Sequence, residues 1–159
     1  MALRTIRTIG DRVLTKTARE VKEITRKEKE LIRDMIETMR DAQGVGLAAP
    51  QVGILKRIVV IEVEEDNPIV LVNPVIVEQD GEQTGGEGCL SVPGKVGTVT
   101  RPMQVVCEAF DENMQPIRVE GEELLARCIC HELDHLEGHL YVELAEGPLQ
   151  DTETEEDDE

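Results

Sequence analysis

The chain predicts an α+β protein in which antiparallel β-sheets pack around a central helix bearing His131-Glu132-Leu133-Asp134-His135, with a second helix nearer the N-terminus. Three observations lead there. Apolar residues recur with helical spacing in two stretches, residues 25–43 and 122–138. Between these stretches lie short runs rich in Val and Ile, bounded by Gly, Pro, Asn and Asp. Their close spacing suits antiparallel pairs better than strand-helix-strand units.

Residues 1–24 read as an irregular arm over the body, with a turn at Gly10-Asp11 and scattered anchors at Val13, Leu14, Val21 and Ile24. The first helix opens on a capping box, Thr25-x-x-Glu28, and carries Leu31, Ile32, Met35, Ile36 and Met39 on one face. Gly44 should end it. Next comes Gly44-Val45-Gly46-Leu47-Ala48-Ala49, which formally fits a dinucleotide-binding glycine pattern. That pattern needs a strand before and a helix after. Here a helix precedes, and Pro50 with Gly53 argues against one following, so these glycines read as places where backbone approaches something closely. Residues 57–63 and 69–77 read as strands, the second interrupted at Asn73-Pro74. Residues 78–86 read as a polar connection, followed by strands at 96–99, 104–110 and 117–120. The last helix starts near Glu122 and should stop at Gly138, with Leu124, Leu125, Cys128 and Ile129 leading apolar into His131.

Composition narrows the function. A length of 159 residues fits one domain, able to bury roughly two-thirds of its unfolded surface. The formal charge is −17, but eight acidic and no basic residues lie between Glu146 and Glu159. Removing those eight charges leaves −9, so the expected organisation is a catalytic body over residues 1–146 and an acidic, disordered tail over 147–159. An acidic body whose aromatic residues are Phe110 and Tyr141 is a poor partner for nucleic acid. No apolar run approaches the ~20 residues of a membrane span. Four cysteines without a CxxC pair, and no leader at the start, read as reduced thiols of a cytoplasmic protein.

On a helix, His131 and His135 lie within roughly 40° of each other and can offer two nitrogens to one metal ion. Glu132, about 100° round the axis, can then handle a proton on a bound water without being a ligand. A catalytic metal wants a third protein ligand and an open position. A third His six residues after the second would need His at position 141, which is Tyr141, and His139 comes two residues early. The glutamates beyond Glu146 fall in the acidic tail. Cys128 shares the helical face but stands seven residues, roughly 10.5 Å of rise, from His135, and reads with Cys107 and Cys130 as structural. Cys89, in a loop flanked by Gly88 and Gly94, is free to arrive from another direction and complete a Cys-His-His set.

Taken together, Gly44-Val45-Gly46-Leu47-Ala48-Ala49-Pro50-Gln51, Glu87-Gly88-Cys89-Leu90-Ser91 and His131-Glu132-Leu133-Asp134-His135 resemble, in order, the three motifs of the peptide deformylases. Gly10-Asp11-x-Val13-Leu14 is similar to that family's opening, and the match spans roughly residues 5–145. The resemblance implies removal of the formyl group from formyl-methionine of nascent polypeptides, with release of formate. It implies Cys89, His131 and His135 as metal ligands, Glu132 as general acid/base, and Gln51 with the Leu90 N–H as stabilisers of the oxyanion. Gly46 would lie against the substrate backbone, with Glu87 among the substrate-contacting residues. Val45, Leu124, Leu125 and Cys128 are the apolar candidates for the methionine side chain. The metal implied is one divalent ion, commonly ferrous iron, with zinc, nickel or cobalt able to occupy the site. Many members end in a basic helix associated with ribosome docking. This chain ends in acid, so the resemblance leaves work near the ribosome without that means of docking, because an acidic segment repels RNA.

Overall fold

The computed structural model describes residues 2–152. Helix α1 spans Arg26–Asp41. Thr25 caps it as expected: its hydroxyl accepts from the Lys27 N–H, while the Glu28 carboxylate accepts from the Thr25 N–H. Strands follow at β1 (Gly46–Ala48), β2 (Ile58–Ile61), β3 (Ile69–Asp80), β4 (Gln83–Cys89), β5 (Val92–Arg101), β6 (Gln104–Phe110) and β7 (Pro116–Glu122). Helix α2 covers Leu124–Leu136, and β8 is the short strand Gln150–Asp151. A five-stranded sheet runs β1-β2-β3-β6-β7 and a three-stranded sheet β4-β5-β8, with every pairing antiparallel.

The larger sheet is covered on both faces. Ile58 and Val60 turn towards Leu31, Ile32, Met35 and Met39 of α1, whereas Val59 and Ile61 turn towards Ala126, Ile129 and Leu136 of α2. The two-residue period of a strand sends alternate side chains to opposite faces. β2 is therefore apolar throughout, and each side chain buried there contributes about 1.5–3 kcal/mol. Helix α2 meets the smaller sheet with its other side, through Glu87 of β4 and Val99 and Arg101 of β5. The metal motif thus lies on a helix held between two sheets.

Gly138, at φ +83°, ends α2 where the sequence predicts, and a Cβ there would stand 2.6 Å from the Thr15 carbonyl oxygen. The N-terminal arm crosses at that point, and its Ala18 N–H donates to the Leu136 carbonyl at 2.8 Å. Leu14, Ala18 and Val21 are its buried anchors.

Four expectations are corrected. The polar connection at 78–86 is mostly strand, because β3 continues to Asp80 and β4 begins at Gln83. Asn73-Pro74 does not break β3. A register shift between Val72 and Val75 absorbs it, with Asn73 at φ +53° and its side-chain amide bonded to both Val21 N–H and Val21 C=O. The short strand at 96–99 is the middle of ten-residue β5. The segment from 147 onward opens with structure: Leu149 packs beside Val92, Val99 and Tyr141, and β8 pairs with β5. The remainder of that expected tail, residues 153–159, lies outside the described residues. Among the described residues no helix is long and apolar enough to cross a membrane.

Candidate metal centre

A cleft of about 440 Å³ opens between α2, β1 and the β4–β5 turn. Val45, Gly46, Gln51, Glu87, Cys89, Leu90, Leu124, Cys128, His131 and Glu132 all line it. His135 lies deeper, at 1 % exposure. Leu125 is corrected: it packs against the core cluster beneath the larger sheet, away from this cleft. Val45 and Leu124 stand exposed at the rim, and Cys128 is buried in the wall. Burial pushes the thiols of Cys107 and Cys130 up to about 11 and that of Cys128 up to about 12, so all three stay protonated and apolar in character.

Cys89, His131 and His135 come together. Their ligand atoms all lie within 4.8 Å of one another. The Nε2 atoms of His131 and His135 are 3.3 Å apart, and the Cys89 sulfur is 3.4 Å from His135 Nε2. Bonds of about 2.0–2.1 Å to nitrogen and 2.3 Å to sulfur give a tetrahedron edges of roughly 3.3–3.6 Å. Two of the three donor–donor edges already hold that spacing. Two imidazole lone pairs facing each other so closely repel unless a proton or a cation sits between them, so the arrangement fits a metal.

The network behind His131 sets which of its nitrogens faces the cluster. Glu87 Oε2 stands 2.6 Å from His131 Nδ1, so a proton on Nδ1 donates to the carboxylate and the Nε2 lone pair is left for a ligand bond. Glu87, expected among the substrate-contacting residues, lines the cleft but is buried and gripped by the Arg101 fork at 3.1 and 2.7 Å and by Arg127 at 2.8 Å. Burial pushes its carboxyl up, but His131 and Arg101 outweigh that and hold it at about 2. Burial also disfavours charge on both imidazoles. His131 is nevertheless pushed up by Cys89 and Glu87, whereas His135 is pushed down by burial and by the neighbouring His131.

Glu132 sits on the cleft side of the same helix turn, 4 % exposed. Its Oε1 has no partner among the described residues, and burial pushes its carboxyl up to about 7. A cation at the adjacent ligands would pull that value back down. Beneath it lies Gly46, where a Cβ would stand 2.5 Å from Glu132 Oε2. The expectation placed Gly46 against substrate. In the structure the Glu132 carboxylate itself occupies the space a Cβ would take, so any larger residue there has to displace it.

Gln51 is locked on three sides. Its Oε1 accepts from the Ala48 N–H at 2.9 Å, and its Nε2 donates to Ser91 Oγ at 3.0 Å and reaches the Cys89 sulfur at 3.6 Å. The N-terminal arm ties both loops down: Arg7 N–H donates to the Gln51 carbonyl at 2.7 Å and Ile9 N–H to the Ser91 carbonyl at 2.8 Å. The sulfur also accepts from the Ser91 N–H at 3.4 Å. Leu90, between these residues, packs its side chain against the α1 core.

Sequence reasoning missed Arg101, Arg127, Ser91 and Tyr141, whose ring stacks on His131 with centroids 6.1 Å apart. One signal existed: Arg127 is a charged residue on the otherwise apolar approach to His131, one turn before it. Arg101 left none.

Two imidazoles and a thiol converge beside a cleft, and the residue after the first imidazole is a buried carboxylate whose Oε1 has no partner among the described residues, the arrangement of a metal-dependent hydrolase. Comparison with known proteins narrows the class. The model of the polypeptide deformylase family matches residues 3–149. A peptide deformylase of Agathobacter rectalis is 67 % identical over 98 % of this chain and 98 % of its own length. A crystal structure of a peptide deformylase from Legionella pneumophila superposes with a TM-score of 0.88 at 44 % identity, covering 91 % of this chain and 86 % of that one. One from Synechococcus elongatus, in complex with actinonin, superposes with a TM-score of 0.86 at 46 % identity, covering 89 % and 78 %. The chain belongs to the polypeptide deformylase family, metal-dependent hydrolases that remove the formyl group from nascent peptides.

Proposed function

We propose that Glu132 moves the proton in this family's reaction, hydrolysis of the formyl amide of formyl-methionine peptides in the cytoplasm, while Cys89, His131 and His135 hold one ferrous ion. The observation that carries the reading is the buried Glu132 Oε1, which faces the cleft beside the ligand cluster with no partner among the described residues. A divalent cation in this ligand set supplies Lewis acidity, which makes water a nucleophile at neutral pH. Glu132 takes the proton from the attacking water and returns it to the departing amine. A group with a pKa near the working pH serves both steps.

Attack on the formyl carbon places negative charge on the former carbonyl oxygen. The Gln51 amide and the Leu90 N–H are the donors assigned to it, each worth about 3–4 kcal/mol in such a role. Support for Gln51 comes from its place in the cleft lining and an orientation fixed by Ala48 and Ser91, which leaves the N–H that only reaches the Cys89 sulfur at 3.6 Å as the donor assigned to the oxygen. Gly46 leaves space for the Glu132 carboxylate and for a small acyl group together. Val45, Leu124 and Cys128 form the apolar wall assigned to the methionine side chain, and Glu87 acts through His131 rather than on substrate.

The ligand set suits zinc as well as iron, so the ion is tested directly. Anaerobically purified protein should contain one equivalent of iron and release formate from formyl-Met peptides, with activity decaying in air. Stoichiometric zinc with air-stable activity would overturn the iron assignment. Cys89→Ala should lose metal. A Cys89→Ala protein with full metal content and activity would overturn the ligand set.

A further inference from the structure

We propose that this site also deformylates chains whose first residue is methionine sulfoxide, with Arg127 donating a hydrogen bond to the sulfoxide oxygen. The inference rests on the deformylase reading above. The bond broken is still the formyl C–N bond: water is consumed, formate and a free amine leave, and the sulfoxide is unchanged.

Arg127 is the charged residue on the stretch of α2 that leads to His131. It stands between Leu124 and Cys128 and lines the cleft with them, on the wall assigned to the methionine side chain. The residue is 8 % exposed. Its Nη1 donates to Glu87 Oε1 at 2.8 Å and to the Val99 carbonyl at 3.2 Å. Nε and Nη2 bond to nothing among the described residues, and neither is sealed in the interior as Glu132 Oε1 is. Nη2 lies over Gly85 of β4, where even a Cβ would stand 3.7 Å away, so no side chain covers it from that strand position. The small part of Arg127 that stays open therefore carries free donors of a cation into the cleft.

A thioether is a weak acceptor, whereas its sulfoxide is polar and presents an accepting oxygen. Burying that oxygen without a donor is unfavourable, so a wall of Val45, Leu124 and Cys128 alone would reject it. Arg127 supplies a charged donor already held in place by Glu87 and Val99. Its aliphatic stem still offers apolar contact to an unoxidised methionine. The sulfoxide sulfur is a stereocentre. A donor fixed on one side of the pocket therefore distinguishes the two epimers, which a merely roomy pocket would not.

Formate release tests it on formyl-Met-Ala-Ala, formyl-norleucine-Ala-Ala and the two separated epimers of formyl-methionine-sulfoxide-Ala-Ala. Each peptide is assayed with the metal-loaded full-length protein and with its Arg127→Met variant, in which Arg101 still holds Glu87. The parent should cleave one epimer with kcat/KM within about tenfold of the methionine peptide and at least about tenfold above the other epimer. In Arg127→Met the ratio of that epimer to methionine should fall about 10- to 100-fold, the worth of one hydrogen bond from a charged donor. The epimers should then become alike, and the norleucine-to-methionine ratio should hold. Damage to Glu87, His131 or the metal lowers all four peptides together and cancels in these ratios. Epimers cleaved alike by the parent, neither epimer cleaved, or a sulfoxide ratio unchanged in Arg127→Met would overturn the proposal while leaving the deformylase reading intact. The epimer preference is read on the parent alone, so the test stands even if the variant does not fold. Absence of formate release from the methionine peptide would overturn that reading, and the proposal with it.

Discussion

Glu87 and Glu132 are buried carboxylates on either side of one imidazole, and the fold treats them in opposite ways. Glu87 receives the Arg101 fork, Arg127 and His131, and is held ionised at about 2. Glu132 has an oxygen with no partner among the described residues and is pushed up to about 7. Burial raises both. The difference lies in the number of donors each carboxylate meets, since hydrogen bonds and opposite charge favour the ionised form and burial alone disfavours it. A saturated carboxylate is a fixed counter-charge that orients His131. An unsaturated one can take and give a proton. The contrast sets the direction of each substitution.

Glu132→Ala should give the largest functional change: turnover falling about 10²- to 10⁴-fold, with metal content retained and thermal stability equal or higher, because a poorly paired buried group is removed. Formate release and metal analysis on one preparation check it, and loss of metal would place Glu132 among the ligands. Glu87→Ala should do the reverse in stability. It leaves Arg127 without a carboxylate and Arg101 with Asp134 alone in the interior and should cost about 3–5 kcal/mol, with metal affinity falling about 10- to 100-fold. Chemical denaturation and metal competition measure both, and a variant as stable as the parent would erase the distinction.

Gly46→Ala probes the floor under Glu132. The added methyl should cost about 1–3 kcal/mol and displace the carboxylate, lowering kcat while the metal stays bound. A parent-like kcat would show that the floor yields.

The smallest effect comes from Glu28, which calibrates the comparison outside the cleft. Its carboxyl is also held at about 2, first by Lys56 and then by Thr25, in a pair where Glu28 is largely covered and Lys56 reaches solvent. The folded-state pKa is depressed, so the stabilisation is present above about 4.5 and lost as the pH falls through about 2. An ion pair with one partner reaching solvent contributes about 1 kcal/mol. The gap in urea midpoint between the parent and Glu28→Gln should be small near neutrality and close as the pH falls towards 2. A gap that widened in acid would reverse the assignment.

Much of this molecule was legible in advance where the signal is local. The capping box at Thr25 and Glu28, the stripe from Leu31 to Met39 and the stop at Gly138 all depend on residues a few positions apart, and all stand as expected. So does the pairing of His131 with His135, one helical turn apart. The failures were of another kind. Asn73-Pro74 looked like a break because proline removes a donor, yet the left-handed Asn73 and its bonds to Val21 turn it into a bulge. Residues 83–88 looked like loop because glycine carries no strand signal, and only the partner β5 makes them β4.

The sequence by itself determined the helix that presents two imidazoles and a carboxylate, and the two motifs that accompany it. Only the tertiary structure decided what each group experiences. Cys89 reaches His135 across 46 residues and Glu87 reaches His131 across 44, spacings that no periodicity encodes. The tertiary structure also gave Glu87 its arginines and left Glu132 without a partner among the described residues. The charge state of a buried carboxylate is set by the donors packed around it, and those donors are brought together by folding.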